Sequence, residues 1–289
     1  MRYVSSEEAR SDLFLSAAVF LVGPLIVEIL LGFIPLQRIP GVTTALRIGL
    51  PLVYTVLVPY LLIRYHRESV RDYLGKGGGQ AAVLGLLLAL PVVATAVFGM
   101  LLEGGSVQSA VPVLFATQPG GIVDLAAGLA FWLGLAALSV YVTVKARDAF
   151  RSDPQTLRSA AMEIARVLAV VAAVTTVLLL LANRTRLSSV LLPLGIAGAV
   201  ALALSRLRGP SSTSRAVLLT PVVLLALQYA LTFSTVNFVE RLYFGTLLGG
   251  IGLVFGMLQE STHSAYGALA MALAIALASP FGLLNPLSL

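Results

Sequence analysis

The chain contains no cysteine. That excludes a disulfide framework, thiolate catalysis and cysteine-ligated metals. It holds only two histidines, little material for a histidine-rich metal centre. Charge is scarce as well: 11% of the 289 residues are charged, against about 25% in a soluble domain. That is too little to clothe a water-soluble globule of this length, which excludes a cytosolic enzyme, a secreted domain and a disordered regulator. Apolar residues are abundant instead, at 58%, and they gather in long runs. Such runs mark a polytopic membrane protein.

A span needs about 20 mostly apolar residues to cross a hydrocarbon layer of ~30 Å. Nine segments qualify, at about 13–36, 43–63, 80–102, 122–144, 165–182, 188–205, 216–233, 240–258 and 264–284. The sixth and eighth are short, Gly-rich or both, so the expected count is eight to nine. The loops between them are too short for a soluble domain. The runs lack the period-2 alternation of a lipid-facing barrel. Helices satisfy their own backbone polar groups in lipid, so the expected fold is all-α, a polytopic transmembrane helical bundle. Residues 1–163 hold about four spans with their loops, and residues 164–289 hold the rest. The first segment does not read as a cleavable signal peptide, being too long and preceded by Glu7, Glu8 and Asp12.

Basic residues give the orientation. Arg2 and Arg10 precede the first span. Arg64, Arg67, Arg71 and Lys76 follow the second, and Lys145, Arg147, Arg151 and Arg158 follow the fourth. Arg206, Arg208 and Arg215 flank the loop after the sixth. The opposite loops carry only Arg38, Arg184, Arg186 and Arg241. The positive-inside rule places the N-terminus in the cytoplasm, the expected host being the plasma membrane. The net charge of +6 reads as topology signalling plus attraction to anionic lipid. Nucleic-acid binding would need a basic soluble face, and none is present. A sequon at Asn183 falls on the outer side.

Two connections stand out. Lys76 and Gly77 to Gly79 read as a flexible joint. Residues 145–163 read as an amphipathic cytoplasmic stretch with a helix start at Asp153-Pro154. Ionisable groups in lipid are costly and therefore candidates for function. Glu28 lies well inside span one and has Arg47 as a prospective partner. Glu103 and Asp124 sit near span ends. Toward the C-terminus, Gln228, Asn237, Glu240, Arg241, Gln259, Glu260 and His263 form the densest polar set. Glu260 and His263 are three apart, which places them on one face of a helical turn. A carboxylate beside an imidazole can activate water or stabilise charge, and it can equally be an ordinary turn pair. Gly245, Gly249, Gly252 and Gly256 form a stripe at helical spacing, the pattern of close helix packing.

The stretch GLVFGMLQESTHSAY at 252–266 is similar to the G-L-x-x-G-L-x-x-x-x-T-G-S-x-W segment of the CPBP family, the CAAX-protease and bacteriocin-processing membrane proteins. FSTVN at 233–237 resembles that family's F-x-x-x-H motif, with Asn237 in place of histidine. Arg208-Gly209 resembles the end of its E-E-x-x-x-R-G motif. The likeness covers about residues 200–280. It implies a scaffold built for intramembrane peptide hydrolysis, in which a glutamate activates water, histidines assist and an asparagine holds the oxyanion. In that register the paired glutamates fall on Ala203 and Leu204, the second histidine on Ala272 and the asparagine on Ala276. Alanine and leucine cannot take a proton, and Asn237 cannot act as a general base.

Three readings follow. A non-catalytic homologue would bind a membrane-embedded peptide or partner helix in the old cavity, with Glu28, Arg208 and Phe233 at that cavity. An active protease would use relocated residues, Glu28, Glu240 or His263 facing Asn237, with Asn237, Glu240 and His263 as the catalytic candidates. A transporter or structural subunit would show a polar path through Glu28 and Arg47. No cofactor and no metal site is expected in any of the three.

Overall fold

The apolar runs fold into long helices because lipid offers the backbone no partner other than itself. The computed structural model describes residues 5–33, 41–102, 119–150, 155–181, 187–206, 212–232 and 238–278. Helix α1 spans Ser6–Phe33. Helix α2 (Val42–Leu52) passes through a π turn (Val53–Leu57) into α3 (Val58–Tyr65). Pro59 has no N–H to give its preceding turn, which is where such a π turn forms. The short α4 (Val70–Leu74) leads to α5 (Gly78–Leu102) and α6 (Pro119–Ala149). Then come α7 (Leu157–Leu181), α8 (Leu187–Arg206), α9 (Arg215–Thr232), α10 (Phe238–Thr262) and α11 (Ala265–Ala278). Strands β1 (Gln155–Thr156) and β2 (Ser212–Thr213) make one small antiparallel ladder between loops.

Among the described residues, six helices are long and apolar enough to cross a membrane. Three more apolar segments, Val190–Arg206, Arg215–Gln228 and Ala265–Ala278, are shorter. The all-helical class is as expected; among the described residues six helices qualify as full-length spans.

Helix α10 is the centre of the bundle, with an almost unbroken buried run from Gly245 to Glu260. Its composition explains this. A Cβ on Gly252 would lie 2.9 Å from the Pro221 carbonyl oxygen and 3.0 Å from Leu225 Cδ1, so only glycine lets α9 come this close. Gly245, Gly249 and Gly256 face the same helix, against Ala226, Val222 and Leu218. The stripe is a packing seam.

One end of the bundle gathers the starts of α1, α5, α7, α9 and α11 and the ends of α3, α6, α8 and α10. The ladder β1–β2 ties the loop after α6 to the loop after α8. Gly75 pairs with Ser264, and Ser264 Oγ donates to the Leu74 carbonyl at 3.2 Å. The 76–79 joint is thus docked against the α10–α11 turn. Gly75 has φ +73°, and a side chain there would strike the His263 carbonyl. The loop 103–118, the sequon at 183–185 and the helix start proposed at 153–154 lie outside the described residues.

Candidate functional site

The principal polar site lies at this gathered end, and four segments build it. Helix α6 continues to Ala149, so Lys145 is helical and belongs to the buried face that also carries Leu138, Tyr141 and Ala149. This corrects the expectation that Lys145 is a loop cation. Its side chain is 0% exposed. An isolated buried ammonium is prohibitive unless it is paired. Two carboxylates supply the pairing: Asp12 Oδ2 at 2.7 Å and Glu68 Oε1 at 2.8 Å from Nζ. Asp12 is brought there because α1 starts at Ser6, within a capping box. The Glu8 amide donates to Ser5 Oγ at 3.2 Å, and the Ser5 amide donates to Glu8 Oε2 at 3.0 Å.

The remaining ligands of the cluster complete its outer side. His66, which caps α3, places Nε2 2.9 Å from Asp12 Oδ1. Tyr73 donates its hydroxyl to Glu68 Oε2. Burial pushes the Tyr73 phenol above its usual range, and the hydrogen bond to Glu68 and that carboxylate's charge raise it further. The Tyr73 ring stacks on Tyr141 with centroids 5.6 Å apart, and the Lys145 ammonium lies 5.8 Å from the Tyr141 centroid. The ammonium thus bridges the two carboxylates. Among the described residues, no three His, Asp or Glu side chains are arranged to hold a metal.

A second, smaller set lies at the same end. Arg147 Nη1 is 3.8 Å from Glu260 Oε1 and 3.4 Å from His263 Nδ1. The Glu260 side chain is 3% exposed, while Arg147 is 42% exposed. His263 follows the end of α10 with φ +48°. The three-residue spacing of Glu260 and His263 thus brings both to one arginine. Nearby, Arg215 donates to Gln155 Oε1 at 3.1 Å and pairs with Glu163 at 2.6 Å.

The structure does not unite the other candidates. Glu240 sits in the first turn of α10 and His263 past its last turn, about 34 Å away along the helix. Glu240 and His263 therefore do not share one site. Asn237, Phe233 and Arg208 lie outside the described residues, and so do the side chains of Glu28, Arg47 and Asp124. Ala203, Ala272 and Ala276, at three of the motif positions, are fully buried in apolar packing. Asp12, His66, Glu68, Tyr73 and Lys145 were not among the candidates. The signal that could have found the lysine is its place on the 3.6-residue apolar repeat of α6.

The third feature is apolar. A cavity of about 280 Å³ lies between α7 and α8 with α10 as its floor. Ala165, Ala169 and Ala172 line one wall, and Ala197, Val200, Ala201 and Leu204 the other. Small side chains on both facing helices leave the space. Arg166 stands on its rim. No family model, no curated protein and no solved structure matches this chain.

Proposed function

We propose that this is a plasma-membrane protein that binds and does not hydrolyse, built on a CPBP-like scaffold without that family's catalytic groups. One observation supports the reading. The positions where the family motif carries glutamate, histidine and asparagine hold Ala203, Ala272 and Ala276, all closed to water. The acids that do gather at the polar end are bound to cations, Asp12 and Glu68 to Lys145 and Glu260 to Arg147. A carboxylate locked against an ammonium is a poor base for water.

In this reading all nine apolar segments cross the bilayer. The gathered polar end faces the cytoplasm, since the loops there carry most of the arginine and lysine. The ligand arrives through the lipid, as an embedded peptide, a partner helix or a lipid. Leu204, at the second glutamate position of the resemblance, lines the α7–α8 cavity, which supports an apolar binding surface there.

The Glu260–His263 pair is the specific observation that favours the alternative, an active intramembrane endopeptidase. Incubating the reconstituted protein with prenylated peptides ending in a CAAX sequence separates the two by mass spectrometry. No turnover above protein-free membranes is expected. Cleavage that disappears in Glu260→Gln would establish the endopeptidase instead.

A further inference from the structure

The groove between α7 and α8 is about 15 Å long, from Met162 to Ala172 along α7. That length is about half of a ~30 Å hydrocarbon layer, the depth of one leaflet. A helix with side chains is about 10–12 Å wide and does not enter a cavity of about 280 Å³ that is floored by α10. A single extended hydrocarbon chain has the right form. The walls are apolar apart from Thr246, whose hydroxyl donates to the Leu242 carbonyl of its own helix, and Arg166 is the one charged residue lining the groove.

Arg166 also has a direction. Its Nη2 lies 3.5 Å from the sulfur of Met162, one turn back toward the start of α7. The guanidinium therefore turns toward the polar end of the bundle, as a snorkelling arginine does. Glu163, the nearest acid on the same helix, is taken by Arg215 at 2.6 Å. Among the described residues no carboxylate pairs with Arg166. A cation so placed, at the head of a one-leaflet apolar slot, complements a phosphate with an acyl chain hanging below it.

We propose that this groove is a binding site for an anionic phospholipid of the cytoplasmic leaflet, one acyl chain between α7 and α8 and the phosphate on Arg166. The inference rests on the reading that ligands reach the protein through lipid with the polar end in the cytoplasm, and it names which ligand. Gly250 in the floor is part of the fit, since a Cβ there would lie 2.7 Å from Ile196 Cγ2 and press that wall into the slot.

The test uses the full chain in vesicles containing phosphatidylglycerol with a photoreactive group on one acyl chain. Phosphatidylcholine with the same group is the neutral comparison. After illumination, peptide mapping should find the label on α7 and α8 at the groove, favouring phosphatidylglycerol. Arg166→Gln should lower phosphatidylglycerol labelling about fivefold, the effect of one surface cation on an anionic lipid. Arg158→Gln, an exposed cation nearer the start of α7, should change it less than about twofold by the same comparison. Ala197→Phe should remove labelling by both lipids. Unfolding midpoints of each variant confirm that it is folded, and inorganic phosphate should not compete. Equal labelling by the two lipids, an unchanged Arg166→Gln result, or label found elsewhere overturns the proposal. If a photoreactive prenylated peptide labels the groove and phosphatidylglycerol does not, the lipid assignment fails while the binding-protein reading stands. Cleavage of that peptide would remove the reading itself.

Discussion

Lys145→Met is the sharpest perturbation of the polar end. The lysine is wholly enclosed, and its two partners expose only 4% and 10% of their side chains. Removing the ammonium leaves two buried carboxylates facing each other, with only the His66 ring on Asp12 and the Tyr73 hydroxyl on Glu68. Breaking a buried pair in this way costs about 3–5 kcal/mol, a large part of the about 5–15 kcal/mol that holds a domain together. Trp132 is the sole tryptophan, is 1% exposed, and lies on the same helix, so its fluorescence reports unfolding of α6 directly. The loss should be read from denaturant or thermal titration in detergent micelles. The neutral triple variant Asp12→Asn, Glu68→Gln, Lys145→Met should recover most of it, because no unpaired charge remains. Asp12→Asn and Lys145→Met should likewise be non-additive in a double-mutant cycle. A Lys145→Met loss below about 1 kcal/mol, the value of an exposed pair, would refute the claim that this lysine is the buried counter-ion of the end cluster.

Other outcomes follow from the same geometry. Gly252→Val should lower stability by about 1–3 kcal/mol, measured by the same fluorescence, because its side chain meets the Pro221 backbone. Gly75→Ala should cost more than about 1 kcal/mol, since φ is +73° and the His263 carbonyl blocks the new methyl group. Arg147→Met should cost only about 1–2 kcal/mol, the Glu260 pair being long and the arginine partly screened by solvent, and Glu260→Gln in the same chain should reverse the loss. Tyr73 supplies a pH signature. Its phenol keeps its proton in the folded state beyond the usual range, so its contribution is complete below the unfolded value near 10. That contribution is lost as pH rises further. Between about pH 10 and 11 the unfolding midpoint should therefore fall more steeply in wild type than in Tyr73→Phe.

Much of the fold was legible because length and apolarity decide it: the described residues of the apolar segments are almost all helical, and the Gly245–Gly256 stripe packs a helix as its spacing implies. The ends were harder. Helix α1 begins at Ser6 because Ser5 and Glu8 form a capping box, a local pattern that an apolar window passes over. Helix α6 runs on through Lys145 because tertiary pairing with Asp12 and Glu68 supports a cation that hydropathy assigns to a loop. For that reason the end cluster was invisible: its acids and its lysine lie far apart in sequence, each beside an ordinary charged loop. The Glu260–His263 juxtaposition was legible from helical spacing alone. Their common partner Arg147 was not, since it comes from another helix.

The proposed function and the proposed lipid site both depend on which side of the membrane the polar end faces. The absence of native cysteine makes it directly measurable, because a single introduced thiol is the only one in the chain. Ser6→Cys and Ser159→Cys mark the polar end, and Leu181→Cys and Phe238→Cys mark the other; all four positions are exposed. In intact cells a membrane-impermeant maleimide should modify Leu181→Cys and Phe238→Cys and leave Ser6→Cys and Ser159→Cys untouched until the membrane is opened. Labelling of Ser159→Cys from outside, or of Ser6→Cys and Ser159→Cys on opposite sides, would contradict a bundle whose basic end lies in the cytoplasm.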